Sequence, residues 1–515
     1  MLLIVEYIAL ALSFDGGQIP KDLGWRSLLR GTGALVPVFV AVLTGGVLLA
    51  GEKAQSEFRE IGAAPIGPLS WHWALFHTVS FAALFYFSAQ IFQPRFGEQA
   101  PALLVTVWIL CVGVSGLSWF RLVTGTLWAC SARLVGNILL SGSVLGLLAW
   151  GTGFGSRSLW PWLASETLRL SSSVLSIFSR EVAVDADTAM LTLGSFRVEI
   201  SPECSGAEGV GLVLVFLCGY LYRYRDDLRF PAVLWLLPVA IVATWLSNSA
   251  RIIALMYLGE HVSRDMALGG FHSKAGWLLF CLIALGVVAL SRQSSFFARS
   301  TPSKNVENAT APYLVPLFAV LVTAQVTGLF STGFDALYPL RVGAALAALW
   351  VYRKHLRVEL STPSVVSIVV GALVFALWLW LVPRDAEGGR YLEEQLSAMS
   401  RPGRAGWILA RVVGAVLTVP LIEELAFRGY LGRRLMDVDF SSVGYRRFGW
   451  LSFVTTAIVF GVVHQAWLAG TVAGIGYGVV LLHRGRLSDA VAAHAVTNAL
   501  LCVAVLGFER WDIPI

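Results

Sequence analysis

Long apolar runs separated by short polar stretches repeat along the whole chain. A helix crossing the hydrocarbon core needs roughly 20 apolar residues, and about fifteen segments approach that standard. They lie near 2–13, 33–50, 72–93, 101–119, 135–153, 203–222, 231–250 and 274–291, then near 312–331, 337–351, 364–383, 405–430, 448–465, 467–482 and 488–508. The expected fold class is all-α, a polytopic transmembrane helical bundle in two modules. A polar, Ser-rich stretch at 291–310 breaks the pattern and marks a boundary. The division it predicts is 1–292, a linker at 293–311, and 312–515 with a core at 360–508.

A second interruption, Trp160 to Glu208, carries seven acidic and three basic residues. Phe196-Arg197-Val198-Glu199-Ile200 alternates apolar and polar, and Gly194-Ser195 follows Leu191-Thr192-Leu193. That pattern predicts a small extramembrane segment with a β-hairpin within 160–203. The loops at 223–229 and 292–304 each hold three basic residues against two and no acidic ones. The excess of positive charge places those two loops in the cytoplasm and 160–208 outside.

Composition agrees. The 515 residues are 57% hydrophobic and 14% charged, with a mean hydropathy of +0.72, whereas soluble domains carry about 25% charged residues. A soluble enzyme, a disordered chain and a nucleic-acid-binding protein are excluded; membrane lipids are the expected surroundings. The net charge of +6 reads as loop charge setting orientation. Six cysteines make no disulfide framework, and Met1–Phe14 lacks the basic region of a removable signal peptide.

Topology then brings three polar residues together. The uncharged stretch 209–222 is too short to span, so its helix must begin near Ser201–Cys204 on the outer side. The next span, Phe230–Ala250, returns to that side, where Arg251 is expected to emerge, followed by a short segment with His272. Taken singly, a cysteine at a helix start is often inert, a histidine near a membrane surface is often only wetted, and Arg251 is a topology anchor. Together they form a nucleophile, a cation and a base, the set acyl transfer needs. Pro202-Glu203-Cys204-Ser205-Gly206, Asn248-Ser249-Ala250-Arg251 and His272-Ser273-Lys274-Ala275-Gly276-Trp277 resemble the motifs of the exosortase/archaeosortase family, the exosortase E subtype in particular. The resemblance implies a multi-pass, sortase-like transpeptidase of a bacterial inner membrane. It further implies Cys204 as nucleophile, Arg251 as cation and His272 as general base, on the extracytoplasmic face. The implied partners are exported proteins with C-terminal sorting signals of the Val-Pro-Glu-Ile-Asp type. Transpeptidation and hydrolysis both stay open.

A second constellation occupies the C-terminal half. Glu423-Glu424 and Arg428 interrupt an apolar helix, and ionisable groups inside a span are costly. Glu424 and Arg428 have the favourable i,i+4 order, which leaves Glu423 to act on a water. A structural salt bridge is the plainer reading of the pair. His464 stands four residues after Phe460, and His494 and Asn498 share one helix face. Glu423-Glu424…Arg428, Phe460…His464 and His494…Asn498 resemble the CAAX-endopeptidase and bacteriocin-processing intramembrane proteases. That resemblance implies Glu423 as the general base assisted by His464, and His494 and Asn498 as oxyanion stabilisers. Glu424 and Arg428 would position the site. Zinc is the competing reading, but no His-Glu-x-x-His occurs and the resemblance implies no metal and no cofactor. The remaining histidines, His72, His77, His261, His355 and His483, read as solvated residues near span ends. Alternatives are a chain with one catalytic half and one substrate-binding half, a transporter, or a lipid-modifying enzyme.

Overall fold

The computed structural model describes residues 71–92, 102–124, 128–200, 206–300, 308–331, 333–356, 362–464 and 466–513. Cys204 and the spans expected at 2–13 and 33–50 lie outside the described residues. Every expected span from residue 72 onward falls on a helix. Seven helices among the described residues are long and apolar enough to cross a membrane, or eight if one bent pair counts as a single span, and three shorter apolar helices accompany them. The all-α polytopic bundle is therefore the architecture.

The chain forms two compact units divided after Leu148. In the first, α1 (Trp71–Phe92) pairs with α2 (Ala102–Thr124). His77 is buried there with Nδ1 3.0 Å from Ser118 Oγ, so it is a satisfied interior residue and not the solvated one expected. Helix α3 (Trp128–Phe178) contains the division, and its last part belongs to the second unit.

That unit begins with a three-stranded antiparallel meander, β1 (Val182–Asp185), β2 (Met190–Leu193) and β3 (Phe196–Glu199). The expected hairpin is β2–β3, turning at Gly194-Ser195. Leu191, Leu193, Phe196 and Ile200 close a small core with Leu168 and Leu175 of α3 and with Ile252, Leu255 and Met256. The latter three belong to α5 (Leu236–His261), which follows α4 (Ala207–Arg223). The sheet thus caps the far end of α5, and Glu260 Oε2 accepts bonds of 3.0 Å from the Ser195 amide and hydroxyl.

Arg251 does not emerge at a helix end, as the sequence had suggested. The span from Ala232 continues to His261, 30 residues in all, or about 45 Å, against a hydrocarbon core of about 30 Å. Arg251 stands about 28 Å along it, near the membrane boundary. The remaining turns project beyond and are covered by the sheet. At the opposite end, Leu228 and Ala298 form an antiparallel bridge, and Arg299 Nε donates to Leu228 O at 3.0 Å. The two basic loops therefore share one end, the basic end, opposite the cap end.

After α6 (His272–Gln293), α7 (Ala311–Gly328) returns to the cap end. Then come α8 (Tyr338–Val351), α9 (Val365–Leu381) and α10 (Ala386–Ala398), bent 110° from α9. The long α11 (Arg401–Arg434) runs back, followed by α12 (Trp450–Val462), α13 (Trp467–Arg484) and α14 (Leu487–Gly507). Contacts fix the ends. Trp407 Nε1 donates to Asp335 O at 2.9 Å, and Asp385 N to Asp512 O at 2.9 Å, joining the cap-end segments. Ser364 N donates to Asp489 Oδ1 at 2.8 Å at the basic end.

Candidate active sites

Helix α11 is not a plain α-helix. Pro420 has no N–H and its ring would strike the carbonyl four residues back in a straight helix. A π-helical stretch, Gly414–Thr418, widens the turn just before it, and a second, Leu425–Leu431, follows. Glu423 and Glu424 lie in the short α-helical segment between, Val419–Glu424. Such π-bulges are frequent at functional sites because they re-aim side chains.

Glu424 is fully buried and held from two sides. Arg428 Nη1 donates to its Oε1 at 3.1 Å and His494 Nδ1 lies 3.2 Å from the same oxygen. Arg428 also donates through Nη2 to Gly474 O at 2.8 Å, and its guanidinium lies 4.5 Å from the Phe460 ring centroid. The cation is thus fixed by a carboxylate, a carbonyl and an aromatic face. A buried charge tolerates removal from water only when it is satisfied in this way. Glu423 lies beside this pair with Oε2 buried and unbonded, 3.8 Å from His464 Nε2. His464 is oriented by its other nitrogen, which meets Phe460 O at 2.6 Å. Asn498, half-buried, donates to Ala415 O at 2.7 Å. Glu423, Glu424, Arg428, His464 and His494 are thereby brought together, with Asn498 one turn beyond His494 and bonded to the first π stretch.

Three neighbours escaped the sequence reading. Tyr477 stacks on His494, centroids 4.7 Å apart and planes at 16°. Gly474 supplies the carbonyl that anchors Arg428, and Trp378 meets His464 edge-on at 6.3 Å. A signal did exist for Gly474. Gly470, Gly474 and Gly478 recur every four residues, a small-residue stripe that lets helices approach closely. Here α13 presses on α12, with a Cβ at Gly474 falling 3.1 Å from Ala457 Cα and O.

In the other half, glycines reveal the convergence. A Cβ on Gly276 would lie 2.8 Å from Arg251 Nη1, so the guanidinium lies over α6 one turn after His272. Gly206, two residues after Cys204, has φ +86°, and a Cβ there would crowd Asn248 at 3.1–3.2 Å. Its left-handed conformation favours glycine, and its contact sets the start of α4 against the turn of α5 that precedes Arg251. Arg251 thus reaches the first turns of the helix that His272 begins, at the cap end; Cys204 falls outside the described residues. Among the described residues no three His, Cys, Asp or Glu side chains gather as a metal site.

Residues 25–289, just over half of the chain, match the transmembrane exosortase family. The chain belongs to that family. Residues 405–500 match a second one, described as type II CAAX prenyl endopeptidase Rce1-like. No curated protein and no solved structure matches the chain. This exosortase is therefore a multi-pass membrane protein carrying two protease-family modules. The matched stretch 405–500 takes in Glu423, Glu424, Arg428, His464, His494 and Asn498, and 25–289 takes in Cys204, Arg251 and His272.

Proposed function

We propose that this exosortase is a two-centre processing enzyme of a bacterial inner membrane, divided into a sorting domain (1–292), a linker (293–311) and a glutamate protease domain (312–515). At the first centre, on the extracytoplasmic face, the Cys204 thiolate attacks the carbonyl of a peptide bond in a C-terminal sorting signal of the Val-Pro-Glu-Ile-Asp type. A carbon–sulfur bond forms and the carbon–nitrogen bond breaks. His272 takes the thiol proton and returns it to the departing amine. Arg251 balances the thiolate and then the oxyanion. An amine or water next resolves the thioester, giving transpeptidation or hydrolysis. The observation that carries this reading is the Arg251 guanidinium lying over Gly276, one turn from His272, which is where a cation serving that base is needed.

At the second centre Glu423 draws a proton from water, which adds to a peptide carbonyl; Glu423 then passes the proton to the leaving nitrogen. The support is that Glu424 Oε1 is held by both Arg428 and His494, whereas among the described residues Glu423 has no such cation bonded to it and turns an unbonded oxygen to within 3.8 Å of His464 Nε2. Asn498 retains a second amide N–H for an oxyanion, and His494, whose Nδ1 meets Glu424, keeps Nε2 for the same role. Activity at the Glu423 centre is expected to persist in the presence of 1,10-phenanthroline, and its loss would show a metal requirement.

Co-expression with a tagged substrate bearing such a signal tests the first centre by intact mass. Cys204→Ala is expected to leave the substrate full-length, whereas Glu423→Ala still permits the first cut. Loss of that cut in Glu423→Ala alone would reassign it to the second centre.

A further inference from the structure

On the cap side the Glu423 centre adjoins a cavity through one residue, Trp378. This cavity of about 390 Å³ lies between α9, α14 and the tail after Gly507, within the range of about 300–1,000 Å³ typical of ligand pockets. Phe375, Trp378, Leu379, Ala504 and Phe508 line it together with Arg384, Arg510 and Asp512. Trp378 meets His464 edge-on at 6.3 Å, and His464 lies 3.8 Å from Glu423. Helix α12, starting from the basic end, has 13 residues and reaches only about 20 Å. The turn carrying His464 therefore lies within the hydrocarbon thickness of about 30 Å, with the cavity on its cap side. Toward the basic end Phe427, Phe460, Tyr477 and Leu481 pack around the site, and the cavity that reaches Arg428 and Gly474 from that side holds only about 50 Å³.

The tail is a fixed wall. Arg510 grips Asp512 through two bonds of 2.8 and 2.9 Å, and the Asp512 carbonyl accepts from Asp385 N.

The cap ends of the two halves also touch. A Cβ on Gly328 of α7 would meet Lys274 Cδ at 2.5 Å, and Gly270 packs on the carbonyls of Gly328 and Ser331. A fragment released beside Arg251 and His272 and still anchored in the bilayer needs only lateral movement to reach the cavity.

We propose that the Glu423 centre is loaded from the cap end through this cavity, and that its substrate is the membrane-spanning remnant, with its new N-terminal ammonium, that the first cut leaves behind. The inference rests on the two-centre reading above. Breakage of the carbon–nitrogen bond at the first centre creates the ammonium on the cap side. The second centre then hydrolyses a peptide bond further along with water.

The test follows the remnant by mass spectrometry of membranes holding the full-length enzyme. The wild type should shorten it, while Glu423→Ala should let it accumulate intact. Ala504→Trp, which fills the cavity, should slow its loss at least tenfold with the first cut unchanged. A preformed remnant, exported with the same N-terminus, should be shortened even by Cys204→Ala. That arm separates the two failures, since a full-length substrate in every strain sinks the first-centre reading alone. A preformed remnant that stays intact beside the wild type overturns the proposal. So would equal shortening by Ala504→Trp and the wild type.

Direction is read independently. In sealed vesicles a membrane-impermeant thiosulfonate should modify Ala504→Cys from the cap side, and Arg447→Cys, at the basic end, from the other. Modification of Ala504→Cys from the basic side only would overturn the route.

Discussion

Arg428 is held by three kinds of contact at once, and each fails differently when the side chain is altered. Arg428→Ala leaves Glu424 buried without its cation, a change that costs about 3–5 kcal/mol for internal pairs. Thermal unfolding in detergent should show that loss, and the cleavage of the preformed remnant should vanish with it. Glu424→Gln combined with Arg428→Met removes both charges and should recover most of the stability but none of the activity. Recovery of activity would mean the pair is a structural strut with no part in holding the site. Arg428→Lys keeps the charge but cannot serve both Glu424 and Gly474 O with a planar fork, so it should fall between. Tyr477 makes a smaller contribution. An aromatic stack is worth about 0.5–1.5 kcal/mol beyond burial, so Tyr477→Leu should destabilise by about that amount more than Tyr477→Phe, which keeps the stack and loses only the hydroxyl's bond to Thr497. Glu423, Glu424 and Arg428 were legible in the sequence because charge inside an apolar run has no bland explanation. Tyr477 and Trp378 were not, since an aromatic in a span is ordinary and only its neighbours give it a role.

Helices α12 and α13 pack through glycine, and the stripe carries the site's geometry. A Cβ on Gly461 would collide with Thr471 Oγ1 and lie 2.5 Å from Trp467 O. Overpacking of this kind typically costs about 1–3 kcal/mol. Gly461→Ala should therefore lower the unfolding temperature, and it should also abolish Glu423-dependent cleavage, because His464 sits on the turn that must shift. Unchanged cleavage would show that the His464–Glu423 spacing is not needed. The same level explains what hydropathy could and could not reveal. Spans from residue 72 onward were legible because lipid demands apolar side chains along their whole length. The end of α5 was not: a window stops at Arg251, yet the helix continues where the sheet and solvent satisfy its polar groups. Strand β1 was also hidden, since Val182 is half-buried and the next three residues are exposed, leaving no alternation. Helix α10 was equally invisible to an apolar scan because it is amphipathic, with Leu396 buried and Glu393 and Glu394 exposed.

At the scale of the whole molecule, the two halves are joined by more than the polar stretch between them. Their cap ends meet where Gly328 accepts the Lys274 side chain and Gly270 approaches the Gly328 and Ser331 carbonyls. If that contact holds the two centres side by side, the covalent link is dispensable. A chain cut between Pro302 and Ser303, expressed as two polypeptides, should co-purify and should still shorten the remnant. Gly328→Leu in the split protein places a branched side chain where Lys274 and the Gly270 backbone now lie, so the halves should separate. The first cut would then continue while the remnant persists. Introduced into the uncut chain, the same substitution should delay remnant loss only in part, because the linker keeps the local concentration of one centre near the other high. Equal remnant processing by the split wild type and the split Gly328→Leu protein would show that the fragment diffuses freely between centres. In that case the fusion would raise the abundance of both activities together without passing a substrate between them.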